Sequence, residues 1–502
     1  MKKHFGKFGI ALVAALLMLL TCALCASAAG TATVVYLRGD GNNEADGLTA
    51  ANAVASINAA YNLLDPDKDC TVVVCGEFLQ KDPFARAHSA KSITITSVYG
   101  NVDYRDSGAV YKTAKSARFG LADDTTFKNI NFESSDGTSF LLVGQHHAVT
   151  IGEGVKMKNF NSKEDAKAFW IVGGCQWGFG GGPTSKTYTT DALKALMQKP
   201  TDITVMSGND MIVVGGPRGN SGAEANRIQG GDIRVTIGGS AQITKLDAAG
   251  SGSKYTDVGN INVRVIGGSV KYLYGTRVNN MTAQSLTLLW TDGSIDLFKM
   301  MPSGTAAAPV GLSIADGGAV TLKAAAAVRT ASNFSAVAEQ FNNVECLDHA
   351  FGKWTTTTPA GFGTKGEEKR TCAYCDAFET REIPALTAKL ELDSNSLSAM
   401  TDKAGVGTIR MIAKLMTTAD AKVTRYGIFV ARTDAIGTAK VAEWTETTGT
   451  ETAFALDLSD IPHSELATPI YAWAFVEADG VQITLPIAAG ESVNKIIEQM
   501  GA

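Results

Sequence analysis

Residues 235–243 read VTIGGSAQI, and a similar stretch, VRVIGGSV, follows at residues 263–270. Looser copies are LLWTDGSI at residues 288–295 and LSIADGGAV at residues 312–320. Their glycines at positions 239, 268, 293 and 318 are 29, 25 and 25 residues apart, a period typical of stacked structural repeats. Each copy predicts a strand, a corner that glycine can turn because it tolerates positive φ, and a second strand. The sequence therefore predicts a solenoid with one turn per repeat.

Segments of alternating apolar and polar residues extend this pattern toward the N-terminus. Such alternation is typical of half-buried strands. The segments are residues 92–96, 126–132, 148–151, 203–206 and 211–214. Before them, residues 34–37 predict a strand, residues 53–64 a helix and residues 71–74 a second strand. We expect this unit to be a helical cap, because the terminal strand of a solenoid needs cover for its backbone.

Three segments carry a resemblance to a known fold. They are YLRGDGNNEADGLT at residues 36–49, FKNINF at residues 127–132 and VTIGEGV at residues 149–155. They resemble right-handed parallel β-helix proteins of the pectate-lyase-like superfamily, as found in large secreted proteins of anaerobic Gram-positive bacteria. The resemblance implies an all-β parallel β-helix over residues 29–335. It does not imply one function, because the superfamily includes lyases, hydrolases, adhesins and phage tailspikes.

The N-terminus has the parts of a secretory signal peptide. Three lysines precede an apolar run at residues 10–20, and the small-x-small sequence ASA follows at residues 26–28. We therefore expect residues 1–28 to be removed and the mature protein to be secreted, either extracellular or at the cell surface. Beyond this segment no stretch approaches the ~18 uninterrupted apolar residues of a membrane span, so we do not expect an integral membrane protein.

The charge of the chain limits the class of ligand. Removal of the signal peptide takes away three lysines and no acids, which changes the formal net charge from −5 to −8. Nucleic-acid binding relies on clustered lysine and arginine at the phosphates. A mildly acidic chain therefore argues against nucleic acid as a partner.

Two pairs of possible metal ligands lie near the middle of the chain. Cys346 and His349 form a C-x2-H pair, and Cys372 and Cys375 form a C-x2-C pair. This number and spacing of ligands is typical of a tetrahedral structural zinc site, which needs no open coordination position. The surrounding residues 345–385 resemble a small zinc-ribbon-like module of extracellular clostridial proteins. The alternative is a disulfide, Cys372 to Cys375 or Cys346 to Cys372, with His349 incidental.

The pattern of predicted strands changes after residue 385. Short strands separated by turns are predicted at residues 406–415, 423–431, 453–458, 470–477 and 481–485. Antiparallel strands of this length and spacing are typical of a small β-sandwich. We therefore predict an accessory β-sandwich domain over residues 386–502, of a kind that often ends such secreted proteins.

Aromatic residues in a glycine-rich segment are the first candidates for ligand contact. Trp170, Trp177 and Phe179 lie in FWIVGGCQWGFGGGP, residues 169–183. Exposed aromatic rings can stack on the faces of sugars, which suggests a glycan contact here. The alternative is that these rings cover the flank of the solenoid as part of its core.

Acidic and basic residues near the predicted strands are candidates for catalysis. They are scattered along the sequence, and many such charges are simply solvated surface. His146 and His147 are adjacent, so side chains in a strand would point to opposite faces and at most one would face a given side. The other candidates are Asp123, Asp124, Asp232, Arg234, Asp247, Asp257, Asp292, Asp296 and Asp316.

These features favour a secreted, non-catalytic binding protein, similar to an adhesin, that recognises a glycan or a cell-surface ligand. The alternative is a polysaccharide lyase or glycoside hydrolase of the β-helix type, with calcium as a cofactor in the case of a lyase. A third possibility is a structural component of the cell envelope. An enzyme requires three or more acids and bases on one side of neighbouring strands, whereas an adhesin needs only a polar and aromatic surface.

Overall fold

The computed structural model describes residues 30–80, 91–114, 118–177, 195, 198–219, 230–252, 257–276, 281–300, 303–305, 308–436 and 440–501. The predicted signal peptide lies outside these ranges. The chain divides into two compact units, Met1–His349 and Ala350–Ala502. The domain boundaries predicted at residues 335, 345 and 385 remain predictions. None of the helices within the described ranges is long and apolar enough to cross a membrane.

The first unit consists mainly of short strands. Its α-helices with described bounds are α1 (Ile57–Leu63) and α2 (Phe334–Ala338). In chain order its strands are β1 (Val34–Leu37), β2 (Asp69–Val74), β3 (Glu77–Gln80), β4 (Ser92–Thr96), β5 (Val98–Tyr99), β6 (Val102–Asp103), β7 (Val110–Thr113), β8 (Arg118–Gly120), β9 (Thr125–Lys128), β10 (Asn131–Ser134), β11 (Phe140–Val143), β12 (Val149–Ile151), β13 (Lys156–Lys158), β14 (Phe169–Val172), β15 (Gln176–Trp177), β16 (Thr201–Val205), β17 (Met211–Val214), β18 (Arg218–Gly219), β19 (Ile233–Ile237), β20 (Gln242–Asp247), β21 (Ser251–Gly252), β22 (Asp257–Tyr274), β23 (Met281–Lys299), β24 (Ser303–Thr305), β25 (Ala308–Val310), β26 (Leu312–Ile314), β27 (Val320–Ala324) and β28 (Asn343–Cys346).

Most of these strands belong to one large parallel sheet. Within the described residues seventeen strands form it, and successive strands pair in parallel from one repeat to the next. One series of neighbours runs through β1, β2, β4, β9, β12, β16, β19, β22, β23, β27 and β28. A second series runs through β8, β11, β14, β17, β20 and β22. A separate parallel sheet contains β3, β7, β10 and β13. The all-β class and the parallel stacking of repeats are thus confirmed.

The alternation of residues explains how the strands bury their apolar side chains. Ile203 pairs with Val235, Val235 with Val263, and Val263 with Leu288. All four side chains are essentially buried, while the residues on either side point to the opposite face. Each strand therefore contributes one apolar residue to a continuous row inside the unit, and the row exists only because successive strands stack.

Three of the four predicted corner glycines have the expected backbone. Gly239, Gly268 and Gly293 have φ of 53°, 67° and 78°. A Cβ on Gly268 would lie 2.5 Å from the carbonyl oxygen of Ala241, so the stacked corners also leave no room for a side chain. In the fourth copy the positive φ, 80°, belongs to Gly317 instead of Gly318.

The predicted N-terminal helical cap is not seen. Helix α1 covers only residues 57–63, because the Ser56 hydroxyl caps its N-terminus by accepting a hydrogen bond from the Ala59 N–H. The outer side of β1 is instead covered by the loop before the helix. The Tyr36 N–H donates to the Gly47 carbonyl, and the Val54 N–H donates to the Tyr36 carbonyl. This loop, rather than a helix, satisfies the backbone of the first strand.

The second unit contains antiparallel sheets. Its strands are β29 (Thr355–Thr358), β30 (Gly366–Thr371), β31 (Phe378–Ile383), β32 (Ala388–Glu391), β33 (Leu397–Thr401), β34 (Gly407–Thr417), β35 (Val423–Ala431), β36 (Lys440–Trp444), β37 (Glu451–Ile461), β38 (Ile470–Ala478) and β39 (Val481–Glu491), followed by helix α3 (Val493–Met500). Strands β29 to β31 form one small sheet. Two four-stranded sheets, β32-β34-β33 with β37 and β36-β35-β38-β39, share one apolar core.

Candidate metal centre and candidate binding surface

The four predicted metal ligands lie together. Cys346 ends β28, His349 follows three residues later, and Cys372 and Cys375 lie in the turn after β30. Their ligand atoms are all within 4.8 Å of one another. Four protein ligands at this separation can surround a single ion tetrahedrally, since Zn–S and Zn–N bonds are about 2.3 and 2.0 Å long. The residues present therefore fit a metal centre.

Backbone hydrogen bonds hold the C-x2-C turn in place. The Cys372 N–H donates to the Ala377 carbonyl over 2.9 Å and closes the turn. The Tyr374 N–H points at the Cys372 sulfur, with a nitrogen-to-sulfur distance of 3.4 Å. Such an N–H donor stabilises a thiolate, which is the form of cysteine that binds metal. The turn therefore presents Cys372 as a ligand.

The disulfide alternative does not describe this site. Among the described residues, none of the cysteines is in a disulfide. Three sulfurs and one imidazole form a ligand set that suits zinc, and four protein ligands leave no position for a substrate. The four residues could therefore hold one metal ion.

Strand register brings two of the candidate residues, Asp124 and Arg234, to one face of the large sheet, together with Asp202 and Asn262, which the sequence alone did not single out. Asp202 on β16 pairs directly with Arg234 on β19, which pairs with Asn262 on β22. On the other side of Asp202, the register places Ala148 and then Asp124, just before β12 and β9. We call Asp124, Ala148, Asp202, Arg234 and Asn262 the polar column. Its neighbouring members are one strand spacing apart, about 4.8 Å.

His147 joins this column from the adjacent turn. Its Nδ1 lies 3.7 Å from Oδ1 of Asp124, and that same oxygen accepts a hydrogen bond from the Ala148 N–H. Burial lowers the pKa of His147, and the Asp124 carboxylate partly offsets this. Burial raises the pKa of Asp202, and Arg234 opposes that rise. The column and His147 thus bring together two carboxylates in different environments, an imidazole and a guanidinium.

Three of the other candidate acids and bases, His146, Asp232 and Asp292, have structural contacts. His146 donates from Nδ1 to the Lys199 carbonyl over 2.7 Å, and its burial lowers its pKa to about 4. Asp232 accepts hydrogen bonds from the backbone and side chain of Asn260. The Asp292 carboxylate accepts from the Gly293 N–H and so acts as a turn residue. The side chain of Asp257 lies outside the described part of the chain.

The predicted aromatic contact is only partly described. Trp170 is 3% exposed and belongs to a small apolar cluster between strands β11, β14 and β17. Its Nε1 donates to the Asp165 carbonyl over 2.9 Å, and the Arg218 guanidinium lies 4.0 Å from the centre of its ring. Trp170 therefore fits the alternative that the ring is part of the core, because neither ring face is open to a ligand. Trp177 lies on β15 with its side chain outside the described residues, and Phe179 lies wholly outside them.

Asp123, which precedes Asp124 of the column, is a buried carboxyl group whose pKa should affect stability. It is 5% exposed, and burial, with a smaller effect from Asp124, raises its pKa to about 7. In the unfolded chain the carboxyl has its ordinary pKa of 3.8. Between these two values the folded protein keeps a proton that the unfolded chain has lost, so the free energy of unfolding falls as pH rises, by about 1.4 kcal/mol per pH unit.

We therefore expect Asp123→Asn to flatten the decrease in stability between pH 4 and pH 7 and to stabilise the first unit at pH 8. The measurement is the urea midpoint at four pH values, with the exposed Asp136→Asn as the control. An unchanged pH dependence in Asp123→Asn would contradict the assignment.

Comparisons with known proteins found no family model, no curated protein and no solved structure that matches this chain.

Proposed function

We propose that the protein is secreted and binds an extracellular glycan or cell-surface ligand through the polar column. The single observation that supports this most is the alignment of Asp202, Arg234 and Asn262 on three consecutive strands, with Asp124 in the same row beyond Ala148. Carboxylates accept hydrogen bonds from sugar hydroxyls, a guanidinium donates hydrogen bonds to them, and an amide can do both. A row of such groups at regular spacing suits a linear polymer that runs across the strands.

We also propose that the first unit is a right-handed parallel β-helix and that the larger part of the second is a β-sandwich. Three series of parallel strands, with stacked glycine corners, support the β-helix. Two antiparallel sheets with a shared core support the sandwich. In this proposal the β-helix is a scaffold for recognition, as in adhesins.

The resident metal in this proposal is zinc with a structural role. Cys346, His349, Cys372 and Cys375 would hold it. The ion would supply folding energy to residues around the turn, since zinc ligation stabilises small modules that have little apolar core.

A second candidate function is hydrolysis of a glycan at the same column. Asp124, His147, Asp202 and Arg234 meet the requirement for three or more acids and bases on one side of neighbouring strands. Asp124 and Asp202 are two strand spacings apart, about 10 Å between backbones, which is near the separation of carboxylates in inverting glycosidases. Asp202, with its raised pKa, suits the acid, and Asp124 suits the base. A calcium-dependent lyase would need two or three carboxylates on one ion, and Asp124 and Asp202, about 10 Å apart at their backbones, are farther apart than the ligands of one calcium site.

We expect Asp202→Asn and Arg234→Gln each to weaken glycan binding by at least about tenfold, because each removes a charged hydrogen-bonding group. The measurement is retention of the mature chain on immobilised neutral and acidic polysaccharides, followed by calorimetry. Lys163→Gln, an exposed charge change outside the column, is the control.

Reducing-end release in the same panel separates the two functions. If the unaltered protein releases reducing ends and Asp124→Asn abolishes this release, the function is hydrolysis and not binding alone. Unchanged retention in both column variants, or no retention of the unaltered protein, would contradict the proposed site.

A further inference from the structure

A cavity of about 930 Å³ lies in the first unit, apart from the polar column. Its walls are the loop after β1, the turn between β2 and β3, and the residues before α1. Its size is within the range of small-molecule sites in proteins. The lining side chains that the following argument uses are Arg38, Asp40, Asn43, Ser56, Glu77 and Leu79.

The charges in this cavity are already paired. Nε of Arg38 lies 3.3 Å from Oδ1 of Asp40. Glu77 forms an ion pair with Lys112, with 2.6 Å between the nitrogen and the oxygen. An anionic ligand therefore finds no excess positive charge, and a cationic ligand finds no excess negative charge. The cavity is electrostatically suited to a neutral ligand.

The same lining offers several directed hydrogen bonds. The Asn43 side-chain oxygen accepts from the Ala55 N–H over 2.9 Å, which orients the amide and leaves its NH₂ group as a donor. The Ser56 oxygen accepts from the Ala59 N–H, so its hydroxyl hydrogen can donate. Asp40 is 82% exposed at its side chain and can accept from a ligand while it contacts Arg38. The lining thus offers both donors and acceptors to a ligand.

Backbone contacts make the cavity rigid. The Gly39 N–H donates to the Glu77 carbonyl over 2.7 Å, and the Asn42 N–H donates to the Ala53 carbonyl over 2.9 Å. A Cβ on Gly41 would lie 2.4 Å from the Ala53 oxygen, so the loop lies directly against its neighbour. A site with fixed walls loses little conformational entropy when a ligand binds.

We propose that this cavity binds a neutral saccharide, as one or two sugar units. Sugar hydroxyls are both donors and acceptors, which matches the Arg38–Asp40 pair, and the carbon face of a sugar ring can contact the apolar side chain of Leu79. The site is independent of the polar column, so either can fail without the other.

The test is calorimetric titration of the full mature chain with glucose, galactose, N-acetylglucosamine, cellobiose, glucuronate and glycine. We expect saturable binding of at least one neutral sugar, weakened about tenfold or more by Arg38→Gln and by Asp40→Asn. Glu164→Gln, which removes the exposed ion pair with Lys167, is the matched control and should bind normally. Thermal unfolding of each variant checks that it is folded.

Three results would overturn the proposal. The first is no saturable binding of any neutral sugar. The second is binding that neither cavity variant weakens while both remain folded. The third is preference for glucuronate or glycine, because a charged or zwitterionic ligand would have to separate the Arg38–Asp40 pair.

Discussion

Replacing Cys372 with serine should abolish stoichiometric zinc binding by the purified protein. Cys372 is 8% exposed and supplies one of the four clustered ligand atoms. Even changes in the residues that support metal ligands typically cost 10–100-fold in affinity, so we expect loss of a ligand itself to cost at least about 100-fold. The measurement is metal content after dialysis, by atomic emission, together with competition against a chromophoric chelator.

Loss of the metal should also cause local unfolding of the chain around this site. Between residues 350 and 387 only Gly366 and Cys372 are buried, so this segment has almost no apolar core. Structural zinc provides about 10–16 kcal/mol of apparent binding energy in small zinc-dependent peptides, which is much more than such a core can supply. We therefore expect limited proteolysis within residues 350–387 in Cys372→Ser, and in the unaltered protein after chelation.

A matched cysteine variant makes this result specific. Cys75→Ser changes a partly buried thiol on the first unit that is not among the four ligands. It should retain one zinc ion per chain and resist protease. If Cys372→Ser retained the metal, Cys372 would not be a required ligand. If chelation left the segment resistant to protease, the metal centre would have no structural role.

Phe169→Ala should destabilise the first unit by about 3–5 kcal/mol, the usual cost of removing a buried aromatic side chain. Phe169 is fully buried on β14, and its ring centroid lies 5.0 Å from that of Phe132, 5.1 Å from Phe140 and 5.4 Å from Phe160. Alanine leaves a cavity among these rings and removes their edge and face contacts. The measurement is the urea midpoint of the first unit, followed by circular dichroism.

The control for this experiment is Leu48→Ala. Leu48 is 56% exposed, so its removal should change stability by less than about 0.5 kcal/mol. Equal effects of Phe169→Ala and Leu48→Ala would contradict the packing of the aromatic rings, because a buried cluster must be more sensitive than an exposed side chain.

The repeats could be predicted from the sequence because the positions of glycines and the alternation of apolar and polar residues depend directly on backbone conformation. The segment around Gly268 predicted both a strand and a corner, and the φ of Gly268 is positive. The C-x2-H and C-x2-C pairs likewise predicted the metal cluster, since ligand spacing is a local property. In the fourth repeat Gly317 and Gly318 are adjacent, and periodicity alone did not distinguish which of them adopts the positive φ.

The polar column could not be predicted in the same way. Asp124, Asp202 and Arg234 are far apart in sequence, and only strand register places them in one row. A register shift of one residue would turn each side chain to the other face, so the sequence pattern alone left their alignment open. The helical cap was wrong for a related reason: the apolar residues at positions 53 and 54 belong to the loop that bonds to β1, and helix α1 starts only after Ser56.

The loop bonded to the outer side of β1 has a consequence for self-association. A parallel sheet with a bare first strand can accept a strand from a second molecule, and repeated addition of that kind produces filaments. Here Tyr36 already exchanges backbone hydrogen bonds with Gly47 and Val54 of its own chain. Polymer growth from this edge would first have to displace that loop, so the edge is protected against pairing with a second molecule.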